Sequence, residues 1–148
     1  MTPKSLPGSL LVVGSGAIGV EFASFYRDLG VEVTLVEILP RILPVEDEEI
    51  AAAAHKAFTK QGIRIRTETT VISATRDADQ LVVVLRGEDG ATESLRVERV
   101  ILAIGITGNV EDLGLEGTAV RVERGHIVVN PWLETDEPGV HAIGDVVG

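Results

Sequence analysis

Apolar and polar positions follow two rhythms along the chain, and each change of rhythm marks a new element. The unbroken apolar run Leu10-Leu11-Val12-Val13 reads as a strand buried on both faces. After closely spaced glycines the spacing turns helical, through Ile18, Phe22, Phe25, Tyr26 and Leu29, and Gly30 stops it. The period then falls to two over Val31, Val33 and Leu35, a second strand that ends at Glu37. Pro40 and Pro44 hold the following segment out of helix. Glu46, Asp47, Glu48 and Glu49 open the next helix, where acids suit the positive end of the helix dipole. That helix is predicted from Asp47 to Lys60, with Ile50, Ala53, Ala54, Ala57 and Phe58 as its buried stripe and Gly62 as its end. Ile63 and Ile65 make a short third strand, which completes a βαβαβ order.

The α/β rhythm breaks next. Val71 to Ala74, Leu81 to Leu85 and Glu93 to Val97 read as three strands joined by polar turns, an antiparallel meander that serves as a crossover. Val100 to Ile104 is again continuously apolar and belongs in the parallel sheet. Val120 to Val122 and Ile127 to Val129 are candidates for a short strand pair, and Pro131 to Pro138 is irregular. The expected architecture is α/β: a Rossmann-like three-layer domain with a parallel central sheet and an antiparallel β-meander crossover. Residues 1–8 form a lead-in, 9–130 the domain, and 131–148 a tail.

The glycines between the first strand and the first helix carry the chemistry. Gly14-x-Gly16-x-x-Gly19 is the dinucleotide-binding fingerprint in its strand–turn–helix–strand setting. Gly14 permits the sharp turn, Gly16 lets a pyrophosphate approach the backbone, and Gly19 lets helix and strand lie close. The first-turn amides have no intrahelical acceptors, and the dipole favours an anion there. Glu37 lies twenty-three residues after Gly14, near the roughly 20 expected of an acid that accepts from the adenosine ribose hydroxyls. Its charge would repel a 2′-phosphate, which favours NAD over NADP, although Arg41 lies close behind. The fingerprint by itself does not separate NAD from FAD. Gly105 closes the Val100–Ile104 run, at the strand end where open sheets bind ligands, but a glycine required only by the turn explains it equally.

Composition narrows the field. A net charge of −10 argues against nucleic acid and anionic membranes as partners. No apolar run approaches a membrane span and the start lacks a signal-peptide pattern, which leads us to expect a bacterial cytoplasmic or mitochondrial-matrix protein. The 148 residues contain no cysteine, so this chain forms no disulfide and supplies no thiolate. His55, His126 and His141 share no spacing with a carboxylate that suggests a metal site or a triad, and no metal is expected. The four acids at 46–49 read as a solvated helix start rather than as a paired-carboxylate site.

Six segments, in order, carry a resemblance that spans almost the whole chain: PKSL, VVGSGAIGVEFASFYRDLGVEVTLVE, ILPVEDEEI, KQGI, VILAIGITGNVEDLGLE and GVHAIGDV. The sequence resembles the NAD-binding segment of the dihydrolipoamide dehydrogenases, flavoprotein disulfide reductases of the 2-oxo acid dehydrogenase complexes. That resemblance implies that Gly14, Ser15, Gly16, Ala17, Ile18, Gly19, Val20 and Glu21 surround the pyrophosphate, with Glu37 on the adenosine ribose. It implies that Val71 lines the adenine pocket, that Gly105 approaches the nucleotide near the nicotinamide, and that Glu21 lies near the flavin. Asp145 matches the aspartate that binds the flavin's ribityl chain, and the resemblance makes 131–148 the start of a return toward an FAD-binding domain, so that the apolar strand Val140 to Asp145 would lack its sheet neighbours here. It further implies FAD in the parent, partner FAD-binding and interface domains, and a homodimer within a 2-oxo acid dehydrogenase complex. The family's flavin fingerprint, Cys-x4-Cys pair and C-terminal His-Glu base are not in this sequence. No catalytic residue is therefore expected here: the chain reads as an excised domain that binds NAD weakly and catalyses nothing alone. A sister enzyme such as an NADH oxidase, or a stand-alone nucleotide-binding module, is the alternative reading.

Overall fold

The computed structural model describes residues 5–147; residues 1–4 of the lead-in, including the first half of PKSL, and Gly148 lie outside it. The chain divides into two compact units, one running to Ile104 and the other starting at Gly105. The division lies earlier in the chain than the 130/131 boundary drawn from the sequence.

In the first unit, β1 (Ser9–Val13), α1 (Ala17–Asp28), β2 (Glu32–Val36), α2 (Glu48–Gln61) and β3 (Arg64–Arg66) follow in the expected βαβαβ order. The meander is β4 (Thr70–Asp77), β5 (Gln80–Arg86) and β6 (Thr92–Val97), and β7 (Arg99–Leu102) returns to the parallel sheet. The parallel sheet runs β3-β2-β1-β7, and β4-β5-β6 is a separate antiparallel sheet. Strands leave β1 in both directions, so the order reverses between β1 and β7. In open α/β sheets, ligands bind outside the carboxyl ends of the strands at such a reversal.

Alternation along the strands explains the three layers. Leu10, Val12, Val33 and Leu35 face the helices and are sealed there by Val20, Ala23 and Ile63. Their neighbours Leu11 and Val36 face the meander and pack with Val83, Leu85 and Val97. Both faces are therefore buried, the condition under which strands read as unbroken apolar runs. Each fully buried aliphatic side chain of this kind stabilises by roughly 1.5–3 kcal/mol.

The helices dock differently from the stripes read in the sequence. On α1 the buried residues are Gly19, Val20 and Ala23, while Ile18, Phe22, Phe25 and Leu29 are exposed. Small residues face the sheet because the helix lies very close to it. A Cβ on Gly19 would stand 2.0 Å from the Gly14 carbonyl oxygen. On α2 the inward line is Ala51, with Ala54 and Phe58 partly buried, and Ile50, Ala53 and Ala57 face outward. Asp47 caps α2 by accepting from the Glu49 amide at 2.9 Å, and Gly62 ends it in the left-handed conformation. Arg27 ties the two helix ends together, its Nε–H donating to the Gln61 carbonyl at 3.1 Å and its Nη1–H to the Val31 carbonyl at 3.1 Å.

The second unit has little regular structure. β8 (Val122–Glu123) and β9 (His126–Ile127) pair antiparallel, tighter around the Arg124-Gly125 turn than the Val120–Val122 and Ile127–Val129 segments expected. The anticipated unpaired strand at Val140 to Asp145 does not form. His141 instead makes a single bridge to Glu134, and Gly144–Val146 is one 3-10 turn. The two prolines and the glycine in Pro131–Gly139 favour such turns over a ladder. Among the described residues no helix is long and apolar enough to cross a membrane.

Candidate nucleotide-binding site

The candidate site is built where β1 hands over to α1. Gly14 has φ +96°, and a Cβ there would lie 2.4 Å from the Ala103 carbonyl oxygen, so glycine is required by both backbone and neighbours. Gly19 is required by the close approach of helix and strand already described. Gly16 differs from both. It is the N-cap of α1 with φ −63°, an ordinary angle, and a Cβ there would meet nothing within 4 Å. Neither its conformation nor its neighbours call for glycine. The space over Gly16 is left open in front of the helix.

The amides around that space fall into two groups. Gly14 N–H donates to the Val36 carbonyl at 2.9 Å, and Ser15 N–H donates to Glu37 Oε2 at 2.8 Å. Among the described residues no side chain accepts from the amides of Gly16, Ala17 or Ile18. These three amides sit in the first turn of a twelve-residue helix, where the dipole adds a partial positive charge. They are suited to hold an anion.

Glu37 follows β2 directly and is 7% exposed, while Ser15 beside it is fully buried. The Ser15 hydroxyl donates to Glu37 Oε2 at 2.6 Å, and the Leu39 amide donates to Oε1 at 3.0 Å. Burial pushes the Glu37 pKa up, but hydrogen bonds from the Ser15 hydroxyl and from the Leu39 and Ser15 amides, with a smaller pull from the nearby Ile38 amide, outweigh it and leave the carboxyl below its ordinary value. It is charged at neutral pH. The segment after Glu37 folds back onto the glycine turn, with the Leu43 amide donating to the Ser15 carbonyl at 2.9 Å. Arg41 is turned into that same segment, donating to the carbonyls of Pro44 at 3.2 Å and Glu46 at 3.4 Å.

The other anticipated positions are placed as follows. Val20 is buried in the helix–sheet core and Glu21 is exposed on α1. Val71 is half-buried against the meander core at the β4 irregularity, two residues after Thr69, whose amide donates to the Glu37 carbonyl at 2.9 Å. Gly105, the first residue of the second unit, has φ +145°, so the backbone itself favours glycine there. It follows β7, which flanks the sheet rather than lying inside it. Asp145 is exposed in the 3-10 turn of that unit. Among the described residues no group of three or more His, Asp or Glu side chains is arranged to hold a metal ion. Sequence reasoning missed the Ser15 side chain, and its signal was modest: a hydroxyl between two glycines, one strand from a carboxylate.

Comparison with known proteins settles the lineage. Residues 1–148 match the pyridine nucleotide-disulphide oxidoreductase family. The chain belongs to that family. A dihydrolipoyl dehydrogenase from Rhizobium etli is 45% identical over 148 residues, which is all of this chain and 31% of the relative. Among solved structures of the family's kind, LpdA from Mycobacterium tuberculosis superposes with a TM-score of 0.82 at 33% identity, over 99% of this chain and 31% of that one. The HOCl-induced flavoprotein disulfide reductase RclA from Escherichia coli does so with a TM-score of 0.82 at 32% identity, over 97% and 32%. This member of the oxidoreductase family thus spans about a third of the length of the relatives it matches, and its likeness is to dihydrolipoyl dehydrogenase-type flavoproteins.

Proposed function

We propose that the unit ending at Ile104 is the pyridine-nucleotide-binding part of a dihydrolipoamide dehydrogenase-type flavoprotein, and that it takes NAD in preference to NADP. The observation that carries this is Gly16, a glycine with an ordinary φ and an empty Cβ position at the mouth of a helix with three free amides. The pyrophosphate would lie over Gly16 against the amides of Gly16, Ala17 and Ile18, and Glu37 would accept from the adenosine ribose hydroxyls. A charged, buried Glu37 repels a 2′-phosphate, and Arg41 would have to leave the carbonyls of Pro44 and Glu46 to neutralise one. Once bound, the nicotinamide supplies a hydride acceptor. This chain's residues bind and orient it, and Val71 and Gly105 are assigned to the adenine and nicotinamide sides.

The donor side of the reaction is assigned to the part of the relatives' length that this chain does not span. With no cysteine, the chain brings no thiol to the oxidation of a dithiol substrate. FAD, contacted by Asp145 and approached by Glu21, and a homodimeric parent within a 2-oxo acid dehydrogenase complex complete the reading, and the chain alone is inactive. The likeness to RclA favours a sister disulfide reductase as the second reading, with the same nucleotide site.

Calorimetric titration of the chain with NAD and with NADP tests the proposal. NAD is expected to bind the wild type more tightly than NADP. Glu37→Ala is expected to weaken NAD about tenfold through the lost charged hydrogen bonds. Equal affinity of the wild type for both nucleotides would overturn the assignment of Glu37.

A further inference from the structure

We infer that the Ser15 side chain is a specificity-determining positioning residue: its hydroxyl holds the Glu37 carboxylate in the orientation that distinguishes a free ribose from a 2′-phosphorylated one. The inference rests on the nucleotide-site reading above and goes beyond it, since the fingerprint asks nothing of its second position but backbone. Three observations carry it.

The first is the geometry of the clamp. Glu37 Oε2 accepts from Ser15 twice, from Oγ–H at 2.6 Å and from N–H at 2.8 Å, while Oε1 accepts from the Leu39 amide at 3.0 Å. One bond would let a carboxylate swivel about its last torsion. Donors on both oxygens, two of them from one residue, fix its plane. A carboxylate offers about four acceptor sites, so the three internal bonds leave about one of them for a ribose hydroxyl.

The second is burial. Ser15 is fully buried and Glu37 nearly so. Water therefore does not reach the Ser15 side of the carboxylate to replace the hydroxyl, and loss of the Oγ–H bond leaves a charged oxygen short of a donor. The third is chain topology. The Ser15 carbonyl accepts from Leu43, so the loop after Glu37 is pinned to the same residue. Ser15 thus joins the phosphate-facing turn to both the carboxylate and the segment behind it. Removing only the hydroxyl leaves the two backbone bonds in place and perturbs the carboxylate alone.

The consequence is asymmetric between ligands. NAD gains from a fixed Glu37 because its ribose hydroxyls donate to it. NADP presents a phosphate there and gains nothing from it. A positioning role therefore shows in the ratio of affinities, whereas a purely structural role lowers both alike.

The experiment is calorimetric titration of wild type, Ser15→Ala, Ser15→Thr, Glu37→Gln and the Ser15→Ala/Glu37→Gln double variant with NAD and NADP. The helical circular dichroism of each is recorded to confirm folding. Ser15→Ala is expected to weaken NAD about tenfold, the worth of a hydrogen bond to a charged group, with NADP nearly unchanged. Ser15→Thr, which keeps the hydroxyl, is expected to retain the preference. In the Glu37→Gln background the Ser15→Ala change is expected to alter the ratio no further. An unchanged ratio in Ser15→Ala, whether both affinities hold or both fall together, would overturn the positioning role while leaving the nucleotide site intact. Absence of NAD binding to the wild type would overturn the site reading, and this inference with it.

Discussion

The unit ending at Ile104 and the unit starting at Gly105 are held together by different physics. The first has apolar cores on both faces of a parallel sheet, and its largest buried side chains include Leu10, Leu11, Leu35 and Leu85. In the second, Ile127 and Ala142 are the buried apolar residues among those described. It is held by side chains that bond to turns. Asn130 Oδ1 accepts from the amides of Trp132 and Glu134, the Thr135 hydroxyl donates to the Val140 carbonyl, and the Ala119 amide donates to Glu137. Arg121 pairs with Asp136 and with Glu123 in the open. Burial spreads stability over many contacts and exposed turn bonds concentrate it in few. The first arrangement is suited to holding a site rigid, and the fingerprint lies there.

The largest expected effect tests whether the cores really differ. Leu35 is fully buried between β2 and the helices, and Leu35→Ala should cost about 2–5 kcal/mol. Both α-helices among the described residues lie in the first unit, so helical circular dichroism in urea reads that unit's unfolding. Ile127→Ala should leave that midpoint nearly unchanged, because Ile127 lies in the unit that the helices do not report. Equal losses from the two substitutions would erase the contrast.

An intermediate effect concerns pH. Glu37 has a folded pKa below its ordinary 4.5, so its hydrogen bonds stabilise the fold above that pH. The contribution is lost as pH falls through the folded value. Glu37→Gln should therefore be less stable than wild type near neutrality, and the gap should narrow as pH drops from about 7 to about 3. Urea midpoints of the two proteins across that range give the answer. A gap that stays constant would mean that the bonds from Ser15 and Leu39 do not favour the charged carboxylate.

Legibility in the sequence follows the same division. The first unit was readable because its strands are buried on both sides and so appear as pure apolar runs, with Gly14, Gly30 and Gly62 at their turns. The order of elements along the chain could be anticipated, and so could the helix ends at Asp47 and Gly62. The buried stripe of α2 was misread at Ile50, Ala53 and Ala57, and the spacing on α1 did not show its inner face, for one physical reason. Bulky Phe22, Phe25 and Ile50 satisfy a helical period, but close docking selects the small Gly19, Ala23 and Ala51 for the inner face. The Ser15–Glu37 clamp was hidden because it joins residues twenty-two apart that only the β1–β2 pairing brings together. The second unit was hardly readable, since side-chain bonds to turns leave no periodic trace.

The smallest expected effect lies in that second unit. Asn130 receives the Trp132 amide at 2.9 Å and the Glu134 amide at 3.1 Å, and its own amide nitrogen donates to Glu134 Oε2 at 2.7 Å. Asn130 is exposed, so water replaces much of what Asn130→Ala removes, and the net loss should be about 1 kcal/mol. A loss of that size should speed hydrogen exchange at Trp132 and Glu134 about fivefold through local opening. The backbone bonds from Asn130 to the Glu134 carbonyl and from Ala142 to the Leu133 carbonyl do not need the side chain, so the turn should loosen rather than vanish. Exchange in α1 and β1 should not change, because opening on this scale stays within the unit that lost the bond. If protection at Leu11 or Leu35 fell together with protection at Trp132, the stability of the sheet would depend on the turns after Gly105, and the two halves could no longer be treated as separately built.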